Sequence, residues 1–356
     1  MMTSCHIPST RGLTTFPELP AVEMKQIIPI LLCLLISSAC RQPGAIMTVT
    51  GPIRPSDMGV TLPHEHILVD WIGADSTGYH RWNRGQVAEA VLPYLLQARE
   101  LGVRTFLDCT PAYLGRDPVL LKALSERSGI HIVTNTGLYG AMDDRFIPAY
   151  AATETAETLS ERWIREFRDG IENTGIRPGF IKIAVAGRAP LSELHRKIVR
   201  AACLTHLATG LTITSHTGPA AAAFEQLALL DKEGVSPQAF VWTHAYGQNP
   251  DSLQKAARRG AWISLDNVGD SPEQLNAYAE TLILFKDKGL LRNVLLSHDA
   301  GVYDPAKKNG GTFRGFNAIF ERLMPLLRER GFSQKQIDVL LVENPRKAYT
   351  IRVRKR

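Results

Sequence analysis

From Gly51 onward the chain alternates between short apolar runs and longer stretches whose apolar positions recur every three or four residues. The short runs have the length of buried parallel strands, and the longer ones have the period of amphipathic helices. Strands are predicted over 60–67, 104–109, 131–138, 179–185, 211–216, 240–244, 262–266 and 294–299. Helices are predicted over 86–101, 117–129, 157–171, 191–209, 221–234, 251–260, 271–289 and 315–331. Five of these end in glycine, at Gly129, Gly234, Gly260, Gly289 and Gly331, as a left-handed cap favours. Eight strand–helix units over about 300 residues is the count of an α/β protein of the (β/α)8 TIM-barrel class. A doubly wound open sheet is the alternative, but no glycine-rich phosphate loop follows any strand. One barrel domain is expected over 49–351, with its longest loop at 304–315, after strand eight.

Composition adds little to this picture. The 356 residues are 44% apolar and 21% charged, ample for one sizeable core. Lys and Arg outnumber Asp and Glu by 41 to 35, but the excess is scattered except in the tail 352–356. That pattern reads as solvated surface, since nucleic-acid binding wants a basic stripe with interleaved aromatics.

The N-terminal region has a different character. From Met24 the sequence runs "MKQIIPILLCLLISSAC", with Lys25, an apolar stretch, then Ser37 and Ala39 before Cys40. This is the layout of a secretory signal peptide over 24–39, too short in its apolar part to span a membrane. Cys40 after the small residues matches a lipobox, although Ser37 stands where Leu is usual; ordinary signal-peptidase cleavage is the rival. The expectation is a lipidated Cys40, a linker over 40–48, and an exported protein held in a bacterial periplasm or outer membrane by its lipid alone. Residues 1–23 have no place in such a signal and are expected to be an upstream extension, with translation starting at Met24. Cys109 and Cys203 remain in the barrel, where they read as apolar core residues.

Candidate chemistry begins in "GVTLPHEHIL", residues 59–68. His64 and His66 are two apart, so on a strand they share a face while Glu65 points away. Polar groups then recur where later strands end: Lys182 in "GFIKIAV", His216 in "TITSHTG", His244 in "FVWTHAYG" and Asp299 in "VLLSHDAG". In a barrel these ends converge on the rim where active sites are built. Burying four imidazoles, an amine and a carboxylate together is costly unless compensated, and metal coordination compensates. The nitrogen and oxygen donors suit a zinc-like divalent ion. A Lys182 ammonium would be repelled by such an ion, so it must be neutralised, displaced or converted. Reaction with CO2 would turn it into an anionic carbamate able to bridge two metals.

In these residues the sequence resembles the phosphotriesterase family of the amidohydrolase superfamily. That family's pattern is His-x-His on strand one, carbamylated Lys on strand four, single His on strands five and six, and Asp on strand eight. All six positions are present in order, and the resemblance extends from about 49 to 349, including "GRDP" at 115–118, "TGLYG" at 136–140 and "ENPRKAY" at 343–349. It implies two divalent ions, zinc first and manganese or cobalt as alternatives. One would be held by His64, His66, Lys182 and Asp299, the other by Lys182, His216 and His244. It further implies a metal-bridging hydroxide as nucleophile, with Asp299 receiving or shuttling the proton, and a homodimer. Tyr139 follows strand three, where relatives place an aromatic residue against the substrate, so it is a candidate substrate contact; packing over the rim is the other reading. Asn267 in "SLDNVG" departs from the basic residue that lactonases and organophosphate hydrolases of the family tend to carry there.

Other polar residues have plainer readings. His298 should face the barrel exterior and pack. His80, His131, His195 and His206 lie away from the rim, and Arg116 and Asp117 should tie down a loop. Asp108 and Asp266 end strands two and seven, as hydrogen-bond partners or as substrate contacts. The function expected is hydrolysis of a small ester, a lactone foremost, with phosphotriesters as a side reaction. A phosphorylated-lactone or phosphodiester hydrolase is the alternative, for which Lys307, Lys308 and Arg314 are available. A surface-anchored binding protein is the non-enzyme alternative.

Overall fold

A computed structural model describes Met1 and residues 44–356. The expected signal segment, the Cys40 lipidation site and the start of the 40–48 linker lie outside the described residues. No described helix is long and apolar enough to cross a membrane.

The eight barrel strands are β1 (Val60–Leu68), β2 (Val103–Asp108), β3 (His131–Val133, resuming at Asn135–Thr136), β4 (Phe180–Ala184), β5 (Ile213–His216), β6 (Phe240–Thr243), β7 (Trp262–Leu265) and β8 (Val294–Leu296). Each pairs in parallel with the next, from β1 through β8. The ring closes between β8 and β1 just past the ladder: Asp299 N–H donates to His64 O at 3.0 Å and His66 N–H to Ala300 O at 2.8 Å. A further strand, Gly301–Tyr303, then runs parallel to β1. The fold is a (β/α)8 barrel, as the alternation of patterns predicts.

The outer helices are α1 (Arg84–Glu100), α2 (Pro118–Ser128), α3 (Ala156–Asp169), α4 (Glu193–Thr209), α5 (Ala220–Lys232), α6 (Pro250–Arg258), α7 (Pro272–Asp287) and α8 (Met324–Glu329), the last preceded by a π-turn at Ile319–Leu323. Six of them start on a side-chain cap, from Asn83, Asp117, Thr155, Ser192, Asn249 and Ser271, which satisfies N–H groups the first turn leaves free. Gly129 ends α2 with φ 69°, and the other four predicted cap glycines also take positive φ.

The interior is filled in layers. Leu107, Val133, Phe180, Val241 and Leu295 form the lower layer, closed from below by Ile46, Met58, Ala348 and Tyr349. Those plug residues come from elements the periodicity did not reveal: an antiparallel hairpin (Ile46–Thr48 with Gly51–Ile53), the short 3-10 helix Pro55–Met58 and the C-terminal helix Asn344–Tyr349. Three-residue strands give too short a pattern to register. Cys109 and Cys203 are free and buried.

The tail also differs from expectation. Arg354 is buried rather than solvated, its guanidinium donating to the carbonyls of Lys347, Ala348 and Thr350 and to Thr212 Oγ1. Its backbone N–H donates to His206 Nε2 at 2.9 Å. Burial holds the guanidinium down at about 10, and the Arg352 charge adds to this. The carbonyl ends of the last helix supply the acceptors that composition alone cannot assign. Arg354→Ala should lower unfolding free energy by about 2–3 kcal/mol, the scale of charged hydrogen bonds, with turnover per folded molecule unchanged. An unshifted urea midpoint would count against this.

Candidate active site

All six residues picked out by the strand-end pattern meet at one rim. Lys182 Nζ lies 3.2 Å from His64 Nε2. Asp299 Oδ1 lies 3.1 Å from His66 Nε2 and 3.4 Å from His64 Nε2. Asp299 Oδ2 is 3.8 Å from His244 Nδ1, and His244 Nε2 is 2.7 Å from His216 Nδ1. His244 and Asp299 sit just past their strands with φ 57° and 50°, left-handed values rare for non-glycine residues. This is why β6 and β8 end earlier than the sequence predicts: the chain leaves the ladder in order to turn these side chains over the mouth.

Tyr139 joins the group, its hydroxyl 3.1 Å from His216 Nδ1 and its ring edge-on to Phe146. Gly137 makes this approach possible. It has φ 125°, and a Cβ there would stand 2.0 Å from the Lys182 carbonyl oxygen. Burial raises the Tyr139 phenol above its usual range, with Asp299 adding to the effect, so it stays a neutral donor.

Around these groups runs an outer set of oxygen acceptors. Asp266 is fully buried, with Oδ2 2.8 Å from His64 Nδ1 and Oδ1 2.9 Å from His244 Nδ1. Thr110 Oγ1 is 2.8 Å from His66 Nδ1. With each ring proton placed on Nδ1 toward these oxygens, Nε2 of His64, His66 and His244 is the unprotonated donor that a metal would take. Asp266 therefore serves as a hydrogen-bond partner. Burial alone would raise its pKa, but the two facing imidazoles hold it well below the usual carboxylate value.

The arrangement fits a divalent ion. Two donors each about 2.1 Å from a tetrahedral ion lie about 3.4 Å apart, close to the separations found here. A His64 nitrogen, a His244 nitrogen and an Asp299 oxygen all fall within 4.8 Å of one another. A Lys182 ammonium would repel an ion placed among these donors, and among the described residues no carboxylate lies within 4.0 Å of it to offset that charge.

Sequence reasoning missed Glu65. It points away from its neighbours, as the strand alternation requires, but it is buried and accepts from Ser297 Oγ, His298 N, His298 Nδ1 and Ala300 N. Ser297 Oγ in turn accepts from His64 N at 2.9 Å. The only signal was a charged residue inside an apolar run. His298 faces outward as expected, with Nε2 accepting from Ile319 N. Asp108 accepts from Ile67 N and Thr110 N, so it ties β1 to β2, and burial pushes it up to about 6. Arg116 binds Glu166 and the Asn135 carbonyl, and Asp117 caps α2, both as loop ties. His195 is a buried tie as well, 2.7 Å from Asp144.

A closed parallel barrel whose rim gathers nitrogen donors around one aspartate defines a barrel protein with a candidate metal centre at its mouth. The family model described as Phosphotriesterase family matches residues 44–349. The chain belongs to the phosphotriesterase family. It is 31% identical over 291 residues to the phosphotriesterase homology protein of Escherichia coli K12, covering 81% of this chain and 96% of that protein. It is 28% identical over 308 residues to the aryldialkylphosphatase of Saccharolobus solfataricus, covering 84% and 97%. A human N-acetyltaurine hydrolase is 25% identical over 356 aligned positions, covering 87% and 99%.

The site should also mark the pH dependence of the metal-free protein. Burial, and then the Lys182 charge, push His64 from 6.5 down to about 4. Burial and His244 push His216 well below 6.5. Such groups take up protons on unfolding, so the stability they give is present above 6.5 and lost as pH falls toward their folded values. His244 works in the opposite sense, its Asp266 contact outweighing burial to raise it. Burial lowers His131 and His206 in the same sense as His64 and His216, while Asp108, raised to about 6, sides with His244; with four groups against two, the urea midpoint of chelator-stripped protein should fall between pH 6.5 and 4. A flat or rising midpoint would contradict the assignment.

Proposed function

We propose that the protein is a binuclear metal-dependent hydrolase of small esters, with a lactone as the foremost substrate. One observation carries the reading: the Nδ1 atoms of His64, His66 and His244 each meet an oxygen of Asp266 or Thr110, while Nε2 of His64 faces Lys182 and Asp299, Nε2 of His66 faces Asp299, and Nε2 of His244 faces His216. His64, His66, Lys182 and Asp299 would hold one ion, and Lys182, His216 and His244 the other. Lys182 would serve as a carbamate, formed when Nζ loses a proton and bonds to the carbon of CO2. When bound, a pair of dications brings the pKa of water to near 7 and polarises the scissile C=O or P=O bond.

The remaining chemistry belongs to the chain. Asp299 is held ionised, because the three facing imidazoles outweigh burial, so its carboxylate is available to accept a proton at the centre. Asp266 keeps His64 and His244 in the tautomer that binds. Tyr139 offers a neutral O–H beside His216 to orient the substrate's acyl or phosphoryl oxygen.

The alternative of a phosphorylated substrate finds less support. Arg314 is engaged with backbone carbonyls and Asn267, and Lys307 faces Asp304 at 3.5 Å. Amide hydrolysis is the better second reading, because a relative covering nearly the same length is named for N-acetyltaurine hydrolysis. Export through 24–39 with lipid attachment at Cys40, and pairing as a homodimer, belong to the same proposal, with intact mass and sedimentation as their tests.

Chelation should abolish hydrolysis and added Zn²⁺, Mn²⁺ or Co²⁺ should restore it, at two ions per chain by elemental analysis. Turnover of phosphotriesters or N-acyl amino sulfonates without lactone turnover would reassign the substrate. Metal-independent turnover, or metal binding with no turnover of any ester or amide, would sink the reading. Lys182→Ala should prevent loading of two ions, with short carboxylic acids partly restoring it, while Lys182→Glu should retain some metal. Full loading of the alanine variant would refute the bridging role.

A further inference from the structure

We infer that Arg314 is a positioning residue for Asp299, an assignment that rests on reading Asp299 as a metal ligand. The backbone around Asp299 is held at every polar group. The N–H groups of His298 and Ala300 donate to the two oxygens of Glu65, at 2.8 and 2.9 Å. Asp299 N–H donates to His64 O at 3.0 Å, and Ala300 O accepts from His66 N at 2.8 Å. The two carbonyls left over, those of His298 and Asp299, both accept from Arg314 Nη2, the second at 2.7 Å.

The first four bonds come from β1, inside the barrel wall. Those of Arg314 come from the long loop after β8. That loop is fixed where it passes β8: Gly301 N donates to Arg314 O at 3.0 Å and Arg314 N to Gly301 O at 3.3 Å. Gly301 is needed there, since a Cβ on it would lie 1.8 Å from His66 O.

A left-handed aspartate needs this restraint. Its φ of 50° is unfavourable for a residue with a side chain, and it persists only where its surroundings over-determine it. Arg314 also reaches sideways, Nη1 donating to Asn267 Oδ1 at 3.2 Å. Asn267 is likewise left-handed, with φ 73°, and directly follows Asp266, which orients His64 and His244. One planar fork thus joins the ends of β7 and β8, where both site aspartates stand. A lysine ammonium carries the charge but cannot reproduce the fork. In this chain a cation from the β8 loop therefore meets the residue after the Leu-Asp of β7, which is itself uncharged.

The test uses the full chain with Arg314→Met and Arg314→Lys. Zn²⁺ retention against a competing chelator, the exchange-coupled electron paramagnetic resonance signal of Mn²⁺-loaded protein, and kcat and KM on a neutral and on an anionic lactone are the readouts. Both variants should release metal about 10- to 100-fold more readily, the usual effect of losing an outer-shell partner. Both should weaken the coupled signal and lower kcat with KM little changed, while the metal-free urea midpoint stays near wild type. Should the methionine variant misfold, the lysine variant alone decides. Wild-type metal retention in the variants overturns the inference. So does full rescue by lysine, which would make the role one of charge alone, or a rise in KM confined to anionic substrates, which would make Arg314 a substrate contact. A wild-type chain that takes up no metal overturns both this inference and the hydrolase reading.

Discussion

Four imidazoles, one amine and one aspartate are gathered in a largely buried barrel mouth, and that group of donors is the constraint on which the rest of the site depends. His64 and Lys182 are closed to water and the others only partly open to it, so most of these atoms must be satisfied by another group. The protein does this from outside inward. Asp266 and Thr110 meet the outer ring nitrogens, and the inner nitrogens are left facing one another and Lys182 at separations near 3 Å. Neutral donors at such spacing are poorly satisfied among themselves and well satisfied around a dication.

The same logic explains the strongly polar but buried layer beneath the rim. Glu65 and His298 are both inaccessible, and their pairing spans the seam where β8 meets β1. Burial would raise the Glu65 pKa, but His298 and the neighbouring donors hold it below its usual value, so the seam is fastened by an ionised carboxylate with four donors. A barrel closes only if its last strand registers with its first. Here the register is fixed by a side chain between two of the proposed ligands, so closing the fold and building the site are one event.

Tyr139, the proposed substrate contact, stands outside the strands on the loop that follows β3, and loops on this fold vary while the strands stay fixed. In the matched relatives the same barrel carries names as different as aryldialkylphosphatase and N-acetyltaurine hydrolase. A family therefore specifies the hydrolytic centre more closely than it specifies the substrate.

Much of this was legible in the residues alone, because it rests on local periodicity. Strand and helix repeats determined the eight units, and the two-residue repeat placed His64 and His66 on one face and Glu65 on the other. Strand ends carrying Lys182, His216, His244 and Asp299 determined which side chains would share a rim. The hairpin at 46–53, the buried Arg354, and the parts played by Glu65, Asp266 and Arg314 were decided only by the tertiary structure. Glu65, Asp266 and Arg314 each bind a partner distant in the chain, as Asp266 does with His64, Glu65 with Ser297 and Arg314 with Asn267. A sequence records which polar groups a chain must bury. Which acceptor meets which donor is fixed only when the barrel closes and brings distant strands within hydrogen-bonding reach.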